Sequence, residues 1–346
     1  MKKLVKFLLP FLCLNAGLLS GCGNDNRIML SFGDMHASDV VDVSINDIDT
    51  KVKNKESFML AVSSNTCACW LDFQPVIQNY VTENHLYCAH ISYNDFKNFA
   101  STYDIQLTSS TTTFVVFRNG VAEVKLMSSI EDKTLKDINV FKKFMNGTVK
   151  MPKMYMINEN DVATIKSSKK NAVVYFERTG CDDCTFINNT LFDYFDKHEN
   201  SNNMYVLDCQ PWKSLSSEEY QSKKDEFGIS AVNNPTYGAN IGTDQGVFPF
   251  FSYISNGDYA SGAGAFNGAV SNVGDKYVVQ DSYYTAERVP KLDYTDKVIK
   301  GYEIPANDVS DNGKYVMWMK DKSIEFYKPI ITSFLDVELA KANFSF

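Results

Sequence analysis

Two cysteines three positions apart, Cys181 and Cys184 in Thr179-Gly180-Cys181-Asp182-Asp183-Cys184, have the spacing that most directly implies chemistry. A C-x-x-C pair exchanges with disulfides, supplies half of a zinc site, or forms a structural disulfide. Zinc needs a second Cys or His pair at ligand spacing, and none follows Cys184 in this half of the chain. The flanking pattern favours exchange. An apolar run over 172–176 stops at a short polar turn, and Phe186, Ile187, Leu191, Phe192 and Phe195 then recur at helical spacings of three and four. Strand, turn and helix in that order put both cysteines in the first helical turn. Unpaired backbone N–H groups and the positive end of the helix dipole stabilise a thiolate there. An exposed Cys181 is therefore expected to attack, and Cys184, one turn further in, to resolve the mixed disulfide. Asp182 and Asp183 disfavour the thiolate and so favour the disulfide, which poises the pair toward reducing its partners.

The elements that must position such a pair are written twice. Ser44 aligns with Asn158, Asp47 with Asp161, Ile48 with Val162 and Cys67 with Cys181, all at one offset of 114, the difference of 181 and 67. Each copy opens on a helix-cap residue followed three places later by Asp, then a short helix, a basic turn and an apolar strand. Internal duplication is the economical explanation. The first copy continues with a helix through Trp70, Phe73, Val76, Ile77 and Tyr80, a strand over 86–91 and a strand over 113–118. Asn119-Gly120 then turns the chain into a strand over 121–126, a strong hairpin signal, and a helix over 132–145 closes the copy. The second copy matches with strands over 204–208 and 250–254, the turn Ser255-Asn256-Gly257-Asp258, and a late helix over 323–342.

This order of elements resembles the thioredoxin fold, in tandem from Ser44 onward: α/β, two thioredoxin-like domains, each a central mixed sheet flanked by helices. The resemblance implies a cis-proline immediately before the hairpin, opposite the cysteines, and Phe248-Pro249 fits that position. It also implies that the backbone beside that proline pairs with an extended substrate, which makes Phe248 and Pro249 the expected substrate contacts. The family's aromatic before the first cysteine is Gly180 here, and its buried acid on the preceding strand is Tyr175, leaving Glu177 as the substitute carboxylate. Extra segments at 210–247 and 269–322 read as insertions, the usual carriers of partner choice. The first copy departs further. Its cysteines are Cys67-Ala68-Cys69, a C-x-C with a small strained ring, and Thr112 or a neighbour stands where the proline belongs. That copy is either a second redox domain, with Cys67 and Cys69 as its pair, or a structural or docking module.

His85, Cys88 and His90 lie near the C-x-C, and with Cys67 and Cys69 offer soft-metal ligands. The simpler reading takes Cys88 as a buried core thiol corresponding to Cys209, so no metal and no cofactor are assigned. The glycine-rich run 257–274 lacks the helix that would hold a phosphate and reads as turns and bulges, and Glu218, Glu219 and Asp225 read as a solvated helix face.

At 346 residues, 44% hydrophobic, the chain is globular with room for about two domains. Its net charge of −8 argues against nucleic acid and against an electrostatic grip on anionic lipid. Lys2, Lys3 and Lys6 precede an apolar stretch over 7–19 that is too short to span a membrane and reads as a secretory signal. It ends in Leu19-Ser20-Gly21-Cys22, which resembles the lipobox of bacterial lipoproteins, whose cysteine is acylated and becomes the new N-terminus. Acyl chains anchor a protein without making it span the bilayer. The expected organisation is a lipoprotein signal over 1–21, a tether and extension over 22–43, the first domain over 44–150 and the second over 151–346. Six cysteines then face a compartment that permits disulfides. The expected function is thiol–disulfide exchange with exported proteins or peptides at the extracytoplasmic face of the cell membrane. The other class is a thioredoxin-fold binding lipoprotein, for an exported peptide or a soft metal, whose cysteines are structural. Replacing Cys22 by Ala is expected to abolish acyl labelling and to leave the precursor unprocessed or released, read by metabolic lipid labelling and membrane fractionation.

Overall fold

The structure is a computed structural model that describes residues 25–64, 66–230, 233–234, 239–240, 248–264, 269–273, 276–280 and 331–346. The leader, Cys22 and most of the second insertion lie outside the described residues.

Chain order begins with three short strands from the N-terminal extension: β1 (Ile28–Met29), β2 (Gly33–Asp34) and β3 (Val40–Asp42). The first copy supplies α1 (Ile45–Lys53), β4 (Met59–Ser63), α2 (Ala68–Glu83), β5 (Cys88–Ser92), α3 (Tyr93–Phe96), β6 (Thr113–Arg118), β7 (Val121–Met127), α4 (Asp132–Lys136) and α5 (Ile138–Thr148). After a short β8 (Val149–Lys150), the second copy supplies β9 (Met154–Ile157), α6 (Glu159–Ser167), β10 (Ala172–Glu177), α7 (Asp182–Lys197), β11 (Met204–Asp208) and α8 (Ser217–Glu226). It continues with β12 (Asn233–Asn234), β13 (Ala239–Asn240), β14 (Phe250–Ser255), β15 (Asp258–Gly264), β16 (Ala269–Val273) and β17 (Lys276–Gln280). A last helix is described over 331–338, and the earlier part of the expected 323–342 helix lies outside the described residues.

The repeated cap signals fold alike. Ser44 accepts from Asp47 N while the Asp47 carboxylate accepts from Ser44 N, and Asn158 and Asp161 form the same reciprocal box at α6. Both helices lead by a short turn into a strand buried along its whole length, β4 and β10. In the first copy the strand order is β3-β5-β4-β6-β7, with β3, β5 and β4 parallel and β6 and β7 antiparallel. One face packs Ile48, Leu60, Phe96 and Phe117; the other packs Trp70, Phe73, Phe114 and Phe141. The second copy orders its strands β15-β14-β10-β11-β9-β2, again with three parallel central strands and an antiparallel hairpin. Leu191, Phe195, Phe334 and Leu335 fill one face, and Val162, Ile165, Trp212 and Phe227 the other. The chain is thus α/β, two thioredoxin-like domains in tandem.

Three differences from the sequence reading have local causes. The single closing helix over 132–145 is two helices, because Asp137 accepts from Asn139 N and Val140 N and so caps a new start. Cys88 and Cys209 do not correspond. Ser63 pairs with Ser92 and Glu177 with Asp208, so the residue matching Cys88, four back, is Met204; Cys209 lies beyond the strand. Within the expected extension, residues 28–42 form three strands that reach both copies. β1 pairs with β8 between the copies, β2 extends the second sheet beside β9, and β3 extends the first beside β5. The first sheet therefore begins at residue 40, ahead of the expected domain start at 44.

Gly33 sits where the connector passes between the copies. A Cβ there would come within 2.5 Å of the Tyr155 ring and 2.7 Å of the His85 carbonyl oxygen. Gly33→Ala is expected to destabilise the protein by about 1–3 kcal/mol through overpacking, measured by urea denaturation of the soluble region.

Candidate functional site

β10 leaves the sheet at Glu177, and after three intervening residues Cys181 is the N-cap of α7. The intervening turn is tied down by Asp208. Its carboxylate accepts from Thr179 N at 2.9 Å, Thr179 Oγ1 at 2.7 Å and Gln210 N at 2.9 Å. Gly180 takes φ +74°, a left-handed conformation that costs a side-chain-bearing residue about 1 kcal/mol or more. Among the described residues, a Cβ at Gly180 would meet nothing within 4 Å.

Cys181 and Cys184 both lie in the first turn, as the spacing implied, and neither is in a disulfide, but Cys181 is not exposed. It retains 7% of its accessible surface and Cys184 2%. Both pack in one buried cluster with Trp212, Phe227 and Phe248. The Cys184 thiol is pushed far above its ordinary pKa by burial, by its hydrogen bond with Cys181 and by the charge Cys181 would carry. The side chains of Asp182 and Asp183, and any influence they exert, lie outside the described residues.

The Phe248–Pro249 peptide is cis and immediately precedes β14, which pairs with β10. Phe248 is 7% exposed and its ring packs on Trp212 at 6.1 Å. Its side chain is core, which leaves only its backbone to meet an extended chain. Trp212 is itself fixed by donating to Glu159 Oε1 at 2.6 Å.

Glu177 has the buried position that a supporting acid requires. Its Oε2 accepts from Asn188 Nδ2 at 2.9 Å, and Asn188 Oδ1 accepts from the Tyr175 hydroxyl at 3.0 Å. Burial raises the Glu177 carboxyl to about 7 against the lowering effect of Asn188, with Asp208 and Cys181 adding to the rise. A carboxyl near neutrality can both take and return a proton at ambient pH. Sequence reading named Glu177 and Tyr175 but missed Asn188, whose signal is its place one helical turn after Cys184, facing the strand.

In the first copy Cys67 caps α2, and Cys67 and Cys69 form a disulfide. Both are only half-buried, unlike the C-x-x-C. The Thr112 hydroxyl donates to Cys69 Sγ at 3.4 Å, so the residue in the proline's place touches the sulfur directly. The metal alternative does not assemble: Cys67 and Cys69 are bonded to each other, and His90 is engaged by Ser63 and Asp42. Among the described residues no group of three His, Cys, Asp or Glu side chains converges as metal ligands would. No helix among them is long and apolar enough to cross a membrane.

No family model and no curated protein sequence matches the chain. Among solved structures it is similar to a mutant thioredoxin from Halobacterium salinarum NRC-1, at 15% identity and a TM-score of 0.25, over 38% of this chain and 97% of that one. Oxidised thioredoxin O1 from Arabidopsis thaliana matches at 16% identity and a TM-score of 0.26, over 32% and 99%. Human ERp44 matches at 11% identity and a TM-score of 0.25, over 48% of this chain and 45% of its own.

Glu177 supplies a stability test with a definite sign. A carboxyl raised from 4.5 to about 7 corresponds to about 3 kcal/mol. The raised group stabilises the fold below its unfolded value, and that contribution is lost as pH climbs toward 7. Glu177→Gln is therefore expected to gain stability relative to the parent between pH 4.5 and 8, by up to about 3 kcal/mol, in paired urea titrations.

Proposed function

We propose that this chain is a thioredoxin-fold thiol–disulfide oxidoreductase. More particularly, it is one held by lipid at the extracytoplasmic face of a cell membrane, acting on disulfides of exported proteins or peptides. The observation that carries the proposal is the C-x-x-C in the first turn of α7, where two thiols outside any disulfide share a hydrogen bond and the second is held protonated. Cys181 attacks a partner disulfide, the bond between the partner's sulfurs breaks, and the leaving sulfur takes a proton. Cys184 then gives its proton to Glu177 and attacks the mixed disulfide at Cys181. The second partner thiol is released and the protein is left with Cys181–Cys184, so two electrons and two protons have passed to the partner. Glu177 suits this step because its carboxyl titrates near neutrality and lies within electrostatic range of Cys184.

The approach runs past Gly180, where a Cβ would meet no described residue within 4 Å, and along the backbone of Phe248 and Pro249. Cys67–Cys69, more accessible than the second pair, is assigned as a second redox pair. Lipid attachment at Cys22 keeps the protein beside partners emerging at the membrane, a role that needs neither nucleic acid nor a cofactor.

Thiol trapping tests the assignment. A Cys184→Ser variant is expected to accumulate mixed disulfides through Cys181, visible as high-mass species that collapse on reduction, whereas Cys181→Ser accumulates none through this pair. Absence of trapped species from the Cys184→Ser variant with natural partners present favours a binding protein whose cysteines are structural.

A further inference from the structure

The described chain begins at Asp25, three residues after the cysteine proposed to carry lipid, and three residues reach no further than about 11 Å between Cα atoms. Where Asp25 is held therefore decides which end of the protein lies nearest the bilayer. Its Oδ2 is 2.7 Å from Arg27 Nη2 and 3.4 Å from Lys150 Nζ. Lys150 is 8% exposed and has Glu199 at 3.4 Å and Asp196 at 3.8 Å, while Arg27 Nη2 is 3.5 Å from Glu199. Separating a nearly buried ammonium from its carboxylates leaves a charge uncompensated, so Asp25 is pinned where it stands.

The residues that pin it belong to one end of the second copy. Asp196 is in the last turn of α7, Glu199 lies between α7 and the start of β11, and Lys150 shortly precedes the start of β9. β9, β11 and β10 run parallel, so all three begin at that end and finish at the other. The C-x-x-C stands at the finish, because β10 ends at Glu177 and Cys181 caps the end of α7 opposite to Asp196. Two internal rulers give the separation. The 16 residues of α7 rise about 24 Å and the 6 of β10 about 20 Å. Charge marks out the same end. The recesses that open on it are lined by Arg27, Lys150, Lys153 and Lys197 and by as many carboxylates, whereas the whole chain carries −8. Repulsion from an anionic headgroup layer is therefore least there and greater for a protein lying on its flank.

We propose that this end of the second copy, around Asp25, Lys150 and Glu199, is the surface that rests on the lipid headgroups, and that the C-x-x-C is turned toward the aqueous compartment. The inference rests on the reading that Cys22 carries lipid. It narrows the partner class. The C-x-x-C meets disulfides of exported chains that stand off the bilayer by about the length of α7, and not those lying within the headgroup layer.

The experiment uses the mature lipoprotein with Cys181→Ser and Cys184→Ser, reconstituted in vesicles of phosphatidylethanolamine and phosphatidylglycerol. Cys67 and Cys69 are bonded to each other and Cys88 and Cys209 are wholly buried, so a thiol-reactive fluorophore attaches where a new cysteine is introduced. Asn200→Cys puts it at the proposed membrane end, and Lys213→Cys, in the segment that follows β11, puts it at the end that holds the C-x-x-C; both positions are exposed. Lipid carrying a nitroxide on its headgroup is expected to quench the label at 200 and to leave that at 213 unchanged. Equal quenching at the two positions, its absence from both, or stronger quenching at 213 overturns the inference while leaving the lipid anchor intact. A protein that fails to float with the vesicles overturns the anchor, and the orientation with it.

Discussion

The geometry of each half depends on one interaction, the pairing of a wholly buried central strand on both of its sides. β10 is hydrogen-bonded to β11 over 173–177 and to β14 over 172–176, and every one of its side chains is buried. Such a strand cannot shift register by one residue without turning both of its faces inside out. Its exit from the sheet is therefore fixed, and so is the place where α7 starts. Cys181 and Cys184 inherit their position from that exit, Asp208 secures the turn between, and Glu177 is carried beneath them as the strand's last residue. β4 does the same for Cys67, through pairing with β5 and β6.

A sheet so built has open edges, and the N-terminal extension covers one in each copy. β3 closes the β5 edge of the first sheet and β2 the β9 edge of the second, so residues 33–42 of the connector seal two edges that would otherwise invite foreign strands. The connector is secured on either side. Ser31 N donates to the Ser57 carbonyl, Asp34 N to that of His85 and Met35 N to that of Met156. Lys150, between the copies and nearly buried, has Asp25 and Glu199 each at 3.4 Å. Residues just beyond the proposed lipid anchor are thus structural parts of both halves.

The two copies keep one scaffold and diverge where the cysteines meet the sheet. The second buries both thiols under aromatic side chains and places Tyr175, Asn188 and Glu177 below them; the first leaves its disulfide half-exposed and puts Ser63, His90 and Asp42 there. Backbone pairing tolerates this because the exchanged residues occupy matching places on the strands, so chemistry changes without moving the main chain.

Periodicity, caps and spacing determined much from the sequence alone. The alternation of short helix, buried strand and cysteine-bearing helix was legible because each signal is local. Ser44 with Asp47, Asn158 with Asp161 and the apolar stripe from Ile187 to Phe195 involve residues within one or a few turns of each other. Glu177 entered only as the substitute for the buried acid that the resemblance implies. Tertiary structure decided the rest, because the remaining relations join residues far apart in the chain. Cys181 packs in one buried cluster with Trp212, Phe227 and Phe248, 31 to 67 positions downstream. The stitching role of 25–43 depends on strands more than a hundred residues away. His90 looked like a metal ligand beside Cys88 because sequence shows its neighbours along the strand. Only the folded sheet shows Ser63 and Asp42, delivered by adjacent strands to opposite sides of one imidazole ring.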